Sequence, residues 1–109
     1  MTASESEPAV QVVDNPEKHR YEARGADGSV VGFSQYQRTD ELVVFTHTEV
    51  DASQEGKGVG SALVRGALDD VRGSGLRVLP LCPFVKSYIG RHREYADLVY
   101  AAPASRVTD

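Results

Sequence analysis

A glycine-rich turn is the part of the sequence whose residue types and spacing most directly suggest chemistry. Gly56, Gly58 and Gly60 alternate with other residues, between a strong strand pattern and a helical pattern. The first amides of a helix have no internal hydrogen-bond partner, and the helix dipole places partial positive charge beside them. Glycine lets the backbone approach a phosphate without a side chain in the way. The turn therefore predicts an anion site at the start of a helix.

Two common phosphate-binding motifs do not fit this turn. Ser61 stands where the dinucleotide fingerprint G-x-G-x-x-G needs its third glycine. The turn is not closed by Gly-Lys-Ser/Thr, so the P-loop pattern is not met either. A plain loop-to-helix turn without a ligand is the alternative interpretation.

Three further side chains could take part in proton or acyl transfer. His47 and Glu49 are two residues apart in a strand pattern and therefore share one face of it. Imidazole changes charge near neutral pH and suits a general base, although a lone strand histidine is more often structural. Cys82 directly precedes a helical pattern, whose free amides would favour the nucleophilic thiolate. A buried structural cysteine is the alternative.

The elements that must position these residues follow from hydrophobic periodicity and turn signals. Strand patterns cover residues 10–13, 19–23, 29–37 and 42–50, and the turns between them predict an antiparallel meander. A helix is predicted over 58–72, stopped by Gly73-Ser74-Gly75, then a strand over 76–82 and a helix over 84–93. An α/β (α+β) fold is expected.

Two segments of the chain resemble the GNAT acetyltransferase superfamily. The resemblance covers about residues 42–99 and is to a subfamily whose members are similar in length to this chain of 109 residues. The matching residues are His47-Thr48-Glu49-Val50, Pro80-Leu81-Cys82, Val85, Tyr88-Ile89, His92 and Glu94-Tyr95. The glycine turn is similar to the superfamily's pyrophosphate-binding turn, Gln/Arg-x-x-Gly-x-Gly/Ala. Gly58 and Gly60 take its small positions, whereas Glu55 replaces the usual Gln or Arg.

The resemblance implies a reduced GNAT fold that binds acetyl-CoA. The strand, glycine turn, helix, strand and helix would follow the meander, and the central sheet would splay near Pro80, which has no amide to donate. The implied cofactor-binding residues are Val50, Gly56, Lys57, Gly58, Val59, Gly60 and Ser61. Glu55 is expected to point away from the pyrophosphate, because a carboxylate there would repel it.

The resemblance also implies catalytic roles, each with a structural alternative. Tyr88 would protonate the coenzyme A sulfur, or would be a core tyrosine. Glu49 would act as base or orient a water, or would be a solvated strand end. Cys82 would lie near the thioester, either as a covalent nucleophile or as a packed side chain, and His47 would be a further base.

Composition and charge limit the other function classes. The net charge of −4 argues against nucleic acid as a partner, and no apolar run approaches the roughly 18 residues of a membrane span. The histidines and Cys82 lack zinc-site spacing, so no metal is predicted. A single cysteine and a polar N-terminus favour the cytoplasm. One domain over 9–100 is expected, with a disordered tail at 1–8 and a loose tail at 101–109.

These observations together predict an acetyl-CoA-dependent N-acetyltransferase. Its acceptor would be a small-molecule or protein amine. The alternative is a non-catalytic protein that binds acetyl-CoA or coenzyme A, and it gains weight from Glu55 and from the absence in the sequence of the early helices that shape the acceptor site of larger members.

Overall fold

The computed structural model of the protein describes residues 9–101, which form one five-stranded sheet and two α-helices. The predicted tails at 1–8 and 101–109 lie outside the described residues, apart from residue 101. In chain order the elements are β1 (Gln11–Asn15), β2 (Arg20–Arg24), β3 (Val30–Arg38), β4 (Leu42–Val50), α1 (Val59–Ser74), β5 (Arg77–Pro80) and α2 (Pro83–Arg91). Short 3₁₀ helices occupy Pro16–Lys18, Ala52–Gln54 and Arg93–Leu98.

The sheet has the predicted architecture of a meander followed by a crossover. Its strand order is β1-β2-β3-β4-β5, with the first four strands antiparallel and β5 parallel to β4. Parallel neighbours need a crossover connection, which α1 supplies between β4 and β5. The α/β (α+β) prediction is confirmed.

One face of the sheet carries the hydrophobic core, and we call it the covered face. The buried apolar side chains of the strands all lie on it: Tyr21, Ala23, Tyr36, Val43, Phe45 and Val78. The buried stripes of α1 and α2 pack against these side chains. The opposite face, here the open face, has no helix over it within residues 9–101.

A β-bulge at Thr46 decides which residues of β4 face which way. Tyr36 of β3 pairs with Phe45, whereas Gln35 pairs with His47, so Thr46 is the extra residue. A bulge shifts the alternation of side chains by one position. Phe45 is therefore on the covered face, while the side chain of His47 is on the open face.

The end of α1 differs from its prediction. The helix continues to Ser74, not to Arg72, and Gly75 alone ends it with a left-handed φ of +78°. The Gly75 amide donates to the carbonyl of Arg72 and the Leu76 amide to that of Val71. This paired closure needs a residue with positive φ directly after the last turn, a conformation that glycine adopts without strain.

Candidate active site

The sheet opens between β4 and β5, immediately after Phe45. Parallel pairing ends where Phe45 lies opposite Pro80, and the amides of Leu81 and Cys82 both donate to the Phe45 carbonyl, at 3.0 and 2.9 Å. The Leu81 amide also lies 3.1 Å from the Leu79 carbonyl, which makes a γ-turn centred on Pro80. Because proline fixes φ near the value that this turn needs, β5 bends away here instead of continuing to Cys82 as predicted.

β4 itself continues past this point. Along Thr46–Val50 it pairs with β3 on one side, and within the described chain no strand lies on its other side. The splayed sheet that the family resemblance implied near Pro80 is confirmed. The gap leaves a stretch of strand edge free to pair with an extended ligand.

The glycine turn leads from the end of β4 to an uncapped helix. Gly56 and Gly58 have φ of +82° and +81°, which favour glycine over any other residue. Gly58 is the N-cap, and among the described residues no side chain caps α1 and no acidic residue stands in its first turn. Its first amides and the positive end of its dipole are therefore available to an anion.

The turn and the end of β4 enclose a depression of about 340 Å³, which we call the turn depression. It is lined by Thr48, Val50, Gln54, Glu55, Gly56, Gly58, Val59, Gly60, Ser61 and Phe84. The structure thus brings together all the predicted cofactor-binding residues except Lys57. That side chain lines a separate depression beside the Gly25–Ser29 turn. Glu55 is exposed but belongs to the lining, although it was expected to point away.

Phe84, like Thr48 and Gln54, is a lining residue that the sequence analysis did not assign to the site. A Cβ placed on Gly60 would lie 2.7 Å from Cζ of Phe84, so a side chain at position 60 would force this ring to move. Gly60 therefore allows α2 to approach α1, in addition to leaving its own amide accessible. An aromatic residue directly after Pro83, at the predicted start of the second helix, was the signal that could have indicated it.

Cys82 is buried beside the opening of the sheet. Only 2% of the residue is exposed, and its thiol donates to the Thr48 hydroxyl at 3.3 Å. That hydroxyl in turn lies 2.9 Å from the hydroxyl of Ser34. The thiol is therefore satisfied inside the protein and close to Thr48 in the lining of the turn depression.

His47 and Glu49 share the open face, as their spacing predicted. Nε2 of His47 lies 2.7 Å from Oε2 of Glu49, and both side chains are more than half exposed. Glu49 lines a second depression, of about 450 Å³, which we call the open-face depression. Val50 lines both depressions, so they meet at the end of β4, on opposite sides of the strand.

Known proteins identify the fold and the family. The family model of the GCN5-related N-acetyl-transferase matches residues 20–98, which is most of the chain. The chain belongs to this family. A solution structure of a GCN5-like protein from Staphylococcus aureus has a TM-score of 0.64 at 17% identity, covering 90% of this chain and 95% of that one. A ribosomal-protein-alanine N-acetyltransferase from Brucella melitensis biovar Abortus 2308 has a TM-score of 0.52 at 23% identity, covering 83% and 67%.

At these identities the two structures support the fold alone. The family match and the fold confirm the predicted small GCN5-related N-acetyltransferase domain with a splayed sheet. No curated protein matches the sequence. Among the residues that the structure describes, no helix is long and apolar enough to cross a membrane.

Tyr88 of this GCN5-related domain is buried in the core and lines neither depression. It is 2% exposed, and its ring stacks on His92 with centroids 4.0 Å apart. Burial raises the pKa of the phenol, and the nearby charges of Arg65 and Asp69 come from the middle of α1. Tyr88 is not among the residues that line either depression, so the structure does not bring it together with Glu49.

Proposed function

We propose that this GCN5-related domain transfers an acetyl group from acetyl-CoA to an amine. The observation that carries the proposal is the opening of the sheet after Phe45, directly beside the uncapped start of α1. Within residues 9–101 this strand edge has no neighbouring strand and this helix start has no side-chain cap, so both present backbone groups that a ligand can pair. Together they fit a long ligand that carries amide groups at one end and a pyrophosphate at the other.

The lining of the turn depression supplies the groups that would hold such a ligand. The first amides of α1, at Val59, Gly60 and Ser61, would bind the pyrophosphate oxygens, where the helix dipole also favours negative charge. The free edge of Thr46–Val50 would pair with the pantetheine arm. Acetyl-CoA supplies the acetyl group as a thioester, whose bond from carbon to sulfur breaks as the bond from carbon to the amine nitrogen forms.

Glu49 is the base in this proposal. An amine arrives largely as an ammonium ion and must lose a proton before its nitrogen can attack. Among the residues that the structure describes, the Glu49 carboxylate is hydrogen-bonded to His47 alone, and it is 61% exposed, so it has capacity to accept that proton. His47 would orient the carboxylate and pass the proton on to water.

We assign Cys82 to packing, so that transfer is direct. Its thiol is buried and already donates a hydrogen bond to Thr48, so it is not exposed for nucleophilic attack. Acetyl-CoA alone should therefore release no burst of free coenzyme A, and Cys82→Ala should keep transfer to an amine within a few-fold of wild type. A burst in the wild-type protein that disappears in Cys82→Ala, with an acetyl group found on the cysteine by mass spectrometry, would overturn this assignment.

We also assign Tyr88 to packing between α1 and α2. The phenol is buried and lies outside both depressions. Tyr88→Phe should then change kcat by no more than a few-fold. A loss of about 10²–10⁴ with unchanged thermal stability would instead make Tyr88 the acid for the leaving thiolate.

The anion site can be tested by placing a charge in it without damaging the helix. An acidic residue in the first turn is favourable to a helix, yet it would repel a pyrophosphate. Ser61→Glu should therefore weaken acetyl-CoA binding at least about tenfold in calorimetry, because each charge-assisted hydrogen bond contributes roughly 1.5–3 kcal/mol. The matched neutral variant Ser61→Gln should bind within a few-fold of wild type. Gly58→Val is the poorer test, since the positive φ of Gly58 would strain any other residue.

Turnover separates this proposal from a protein that only binds the cofactor. The wild-type protein with acetyl-CoA and a panel of amines should form an acetylated amine, detected by mass spectrometry. An equal loss of acetyl-CoA binding in Ser61→Glu and Ser61→Gln would contradict an anion site at the start of α1. Tight acetyl-CoA binding with no product from any amine would favour the non-catalytic alternative.

A further inference from the structure

The open-face depression carries charges of both signs on opposite sides. Glu49 and Asp51 line it from the end of β4, and Arg20 lines it from β2, with Gly32 and Phe33 of β3 between them. Its volume of about 450 Å³ falls within the range of small-molecule sites, roughly 300–1,000 Å³. A ligand that fills it would meet carboxylates at one end and a guanidinium at the other.

Arg20 is held in place by Glu22, which lies outside the depression, and by Phe33, which is part of its lining. Its Nε donates to Oε2 of Glu22 at 2.8 Å, and its guanidinium lies 4.6 Å above the centre of the Phe33 ring. Its two terminal amino groups have no hydrogen-bond partner among residues 9–101. A guanidinium is planar and presents paired donors that match a carboxylate or phosphate, so Arg20 is a preorganised anion receptor.

The charge around Arg20 is not neutralised by Glu22. Arg24 also bonds to this carboxylate, through Nε at 3.0 Å and Nη2 at 2.7 Å. Two guanidinium groups thus share one carboxylate, which leaves one positive charge in excess. On the other side of the depression the exposed Glu49 carboxylate would hold an ammonium group.

We propose that the acceptor is a small molecule in which an amine and an anionic group, a carboxylate or a phosphate, are separated by a few bonds. This inference rests on the proposed function, since it takes Glu49 as the base. The amine lies at Glu49 and Asp51, beside the free edge of β4, and the anionic group lies at Arg20. Strands β2 and β4 flank β3, and neighbouring strands are about 4.8 Å apart, so the long side chains of Arg20 and Glu49 reach the two ends of one short ligand.

The chain offers a matched control for Arg20. Arg24 has the same charge, lies on the same strand and binds the same carboxylate, but it is not part of the lining of the open-face depression. Arg20→Gln and Arg24→Gln therefore remove the same charge and the same kind of bond to Glu22. Only Arg20→Gln removes the anion receptor, and Arg20→Lys keeps the charge without the paired donors.

The test is a set of NMR titrations on ¹⁵N-labelled protein saturated with coenzyme A. The probes are γ-aminobutyrate and 2-aminoethyl phosphate, each compared with its neutral counterpart, γ-aminobutyramide or ethanolamine, and with spermidine. We expect at least one anionic amine to shift the amides of Gly32, Phe33, Asp51 and Ala52. Its neutral counterpart should bind roughly tenfold more weakly or worse. The anionic amine that binds more tightly shows whether the site prefers a carboxylate or a phosphate.

The variants then decide whether Arg20 is the receptor. Arg20→Gln should weaken binding of the anionic amine roughly tenfold or more, Arg20→Lys less, and Arg24→Gln no more than about threefold. The inference is overturned if spermidine or the neutral amines bind equally well, if Arg24→Gln behaves like Arg20→Gln, or if no probe shifts these amides. If coenzyme A itself does not shift the amide resonances of Gly58–Ser61, the proposed function is contradicted instead.

Discussion

Two carboxylates on the open face lie in one row of the sheet, on either side of Phe33. Glu22 of β2 and Glu49 of β4 are both paired with Phe33 in the strand register. Glu22 is 2% exposed and accepts four hydrogen bonds, from Asn15, Arg20 and twice from Arg24. Glu49 is 61% exposed, and within residues 9–101 its hydrogen-bond partner is His47.

The difference lies in how many acceptor positions remain free. A carboxylate has about four lone-pair positions, and Glu22 has used all of them. Burial acts to raise the pKa of Glu22, but hydrogen bonds from Arg24, Arg20 and Asn15 outweigh it and lower the pKa to about 2. The same residue type on the same face thus serves structure where donors saturate it, and is available for chemistry where they do not.

The largest expected effect comes from removing the free carboxylate. Glu49→Gln should lower kcat by about 10²–10⁴, the usual contribution of a positioned base, and should leave thermal stability close to wild type because the side chain is exposed. Steady-state kinetics and a thermal melt measure the two effects. An unchanged kcat would show that Glu49 is not the base. It would also contradict the proposed difference in role between Glu22 and Glu49.

Removing the saturated carboxylate should have the opposite profile. Glu22→Gln loses an acceptor that three donor residues share, which should cost about 1–3 kcal/mol of unfolding free energy in urea titrations. At saturating acceptor and acetyl-CoA, kcat should stay within about threefold of wild type. A stable protein with low kcat would show that Glu22 acts in the reaction and not in the fold.

The stabilisation from Glu22 should depend on pH in a defined direction. Its folded pKa of about 2 lies below that of a free glutamate, about 4.3, so the folded state favours the ionised form. The stabilisation is then fully present above about pH 5 and is lost as the pH falls through about 2. Urea titrations of wild type and Glu22→Gln should show a difference that shrinks over this window. A difference that stays constant down to pH 2 would contradict the shifted pKa.

The smallest expected effect belongs to His47. Exposed ion pairs typically contribute about 0.2–1 kcal/mol, so His47→Gln should lower kcat only about 1.5- to 5-fold while Glu49 remains in place. The measurement is kcat at saturating substrates, beside Glu49→Gln prepared in parallel. If His47→Gln proves the more damaging of the two, the imidazole is the base and the carboxylate orients it.

Much of this architecture follows from local sequence signals. The strand patterns, the turns between them and the helical stripe of α1 predicted every strand and both helices, with errors of a few residues at their ends. Those errors have local causes: His19 adopts a left-handed φ of +55° that delays β2, and the γ-turn at Pro80 shortens β5. The glycine turn before α1 was also predicted, because glycines with positive φ leave a visible spacing in the sequence.

The candidate site was less predictable, because its residues meet through contacts between distant segments. The spacing of His47 and Glu49 determined that they share a face, but the bulge at Thr46 determined which face. Simple alternation from the buried Phe45 would have placed both on the covered face. A bulge depends on the register with β3, and that register is set by the packing of the whole sheet.

Local signals and contacts between elements thus account for different parts of this protein. Composition, periodicity and turn residues act over a few positions, so they predicted the elements and the glycine turn before α1, whereas the splay at Pro80 was implied by the family resemblance. The bond from Asn15 of β1 to Glu22, the stacking of Arg20 on Phe33 and the approach of Phe84 to Gly60 each join two different elements. Hydrogen bonds and packing of this kind exist only after the strands and helices have assembled, because the partners come from different elements.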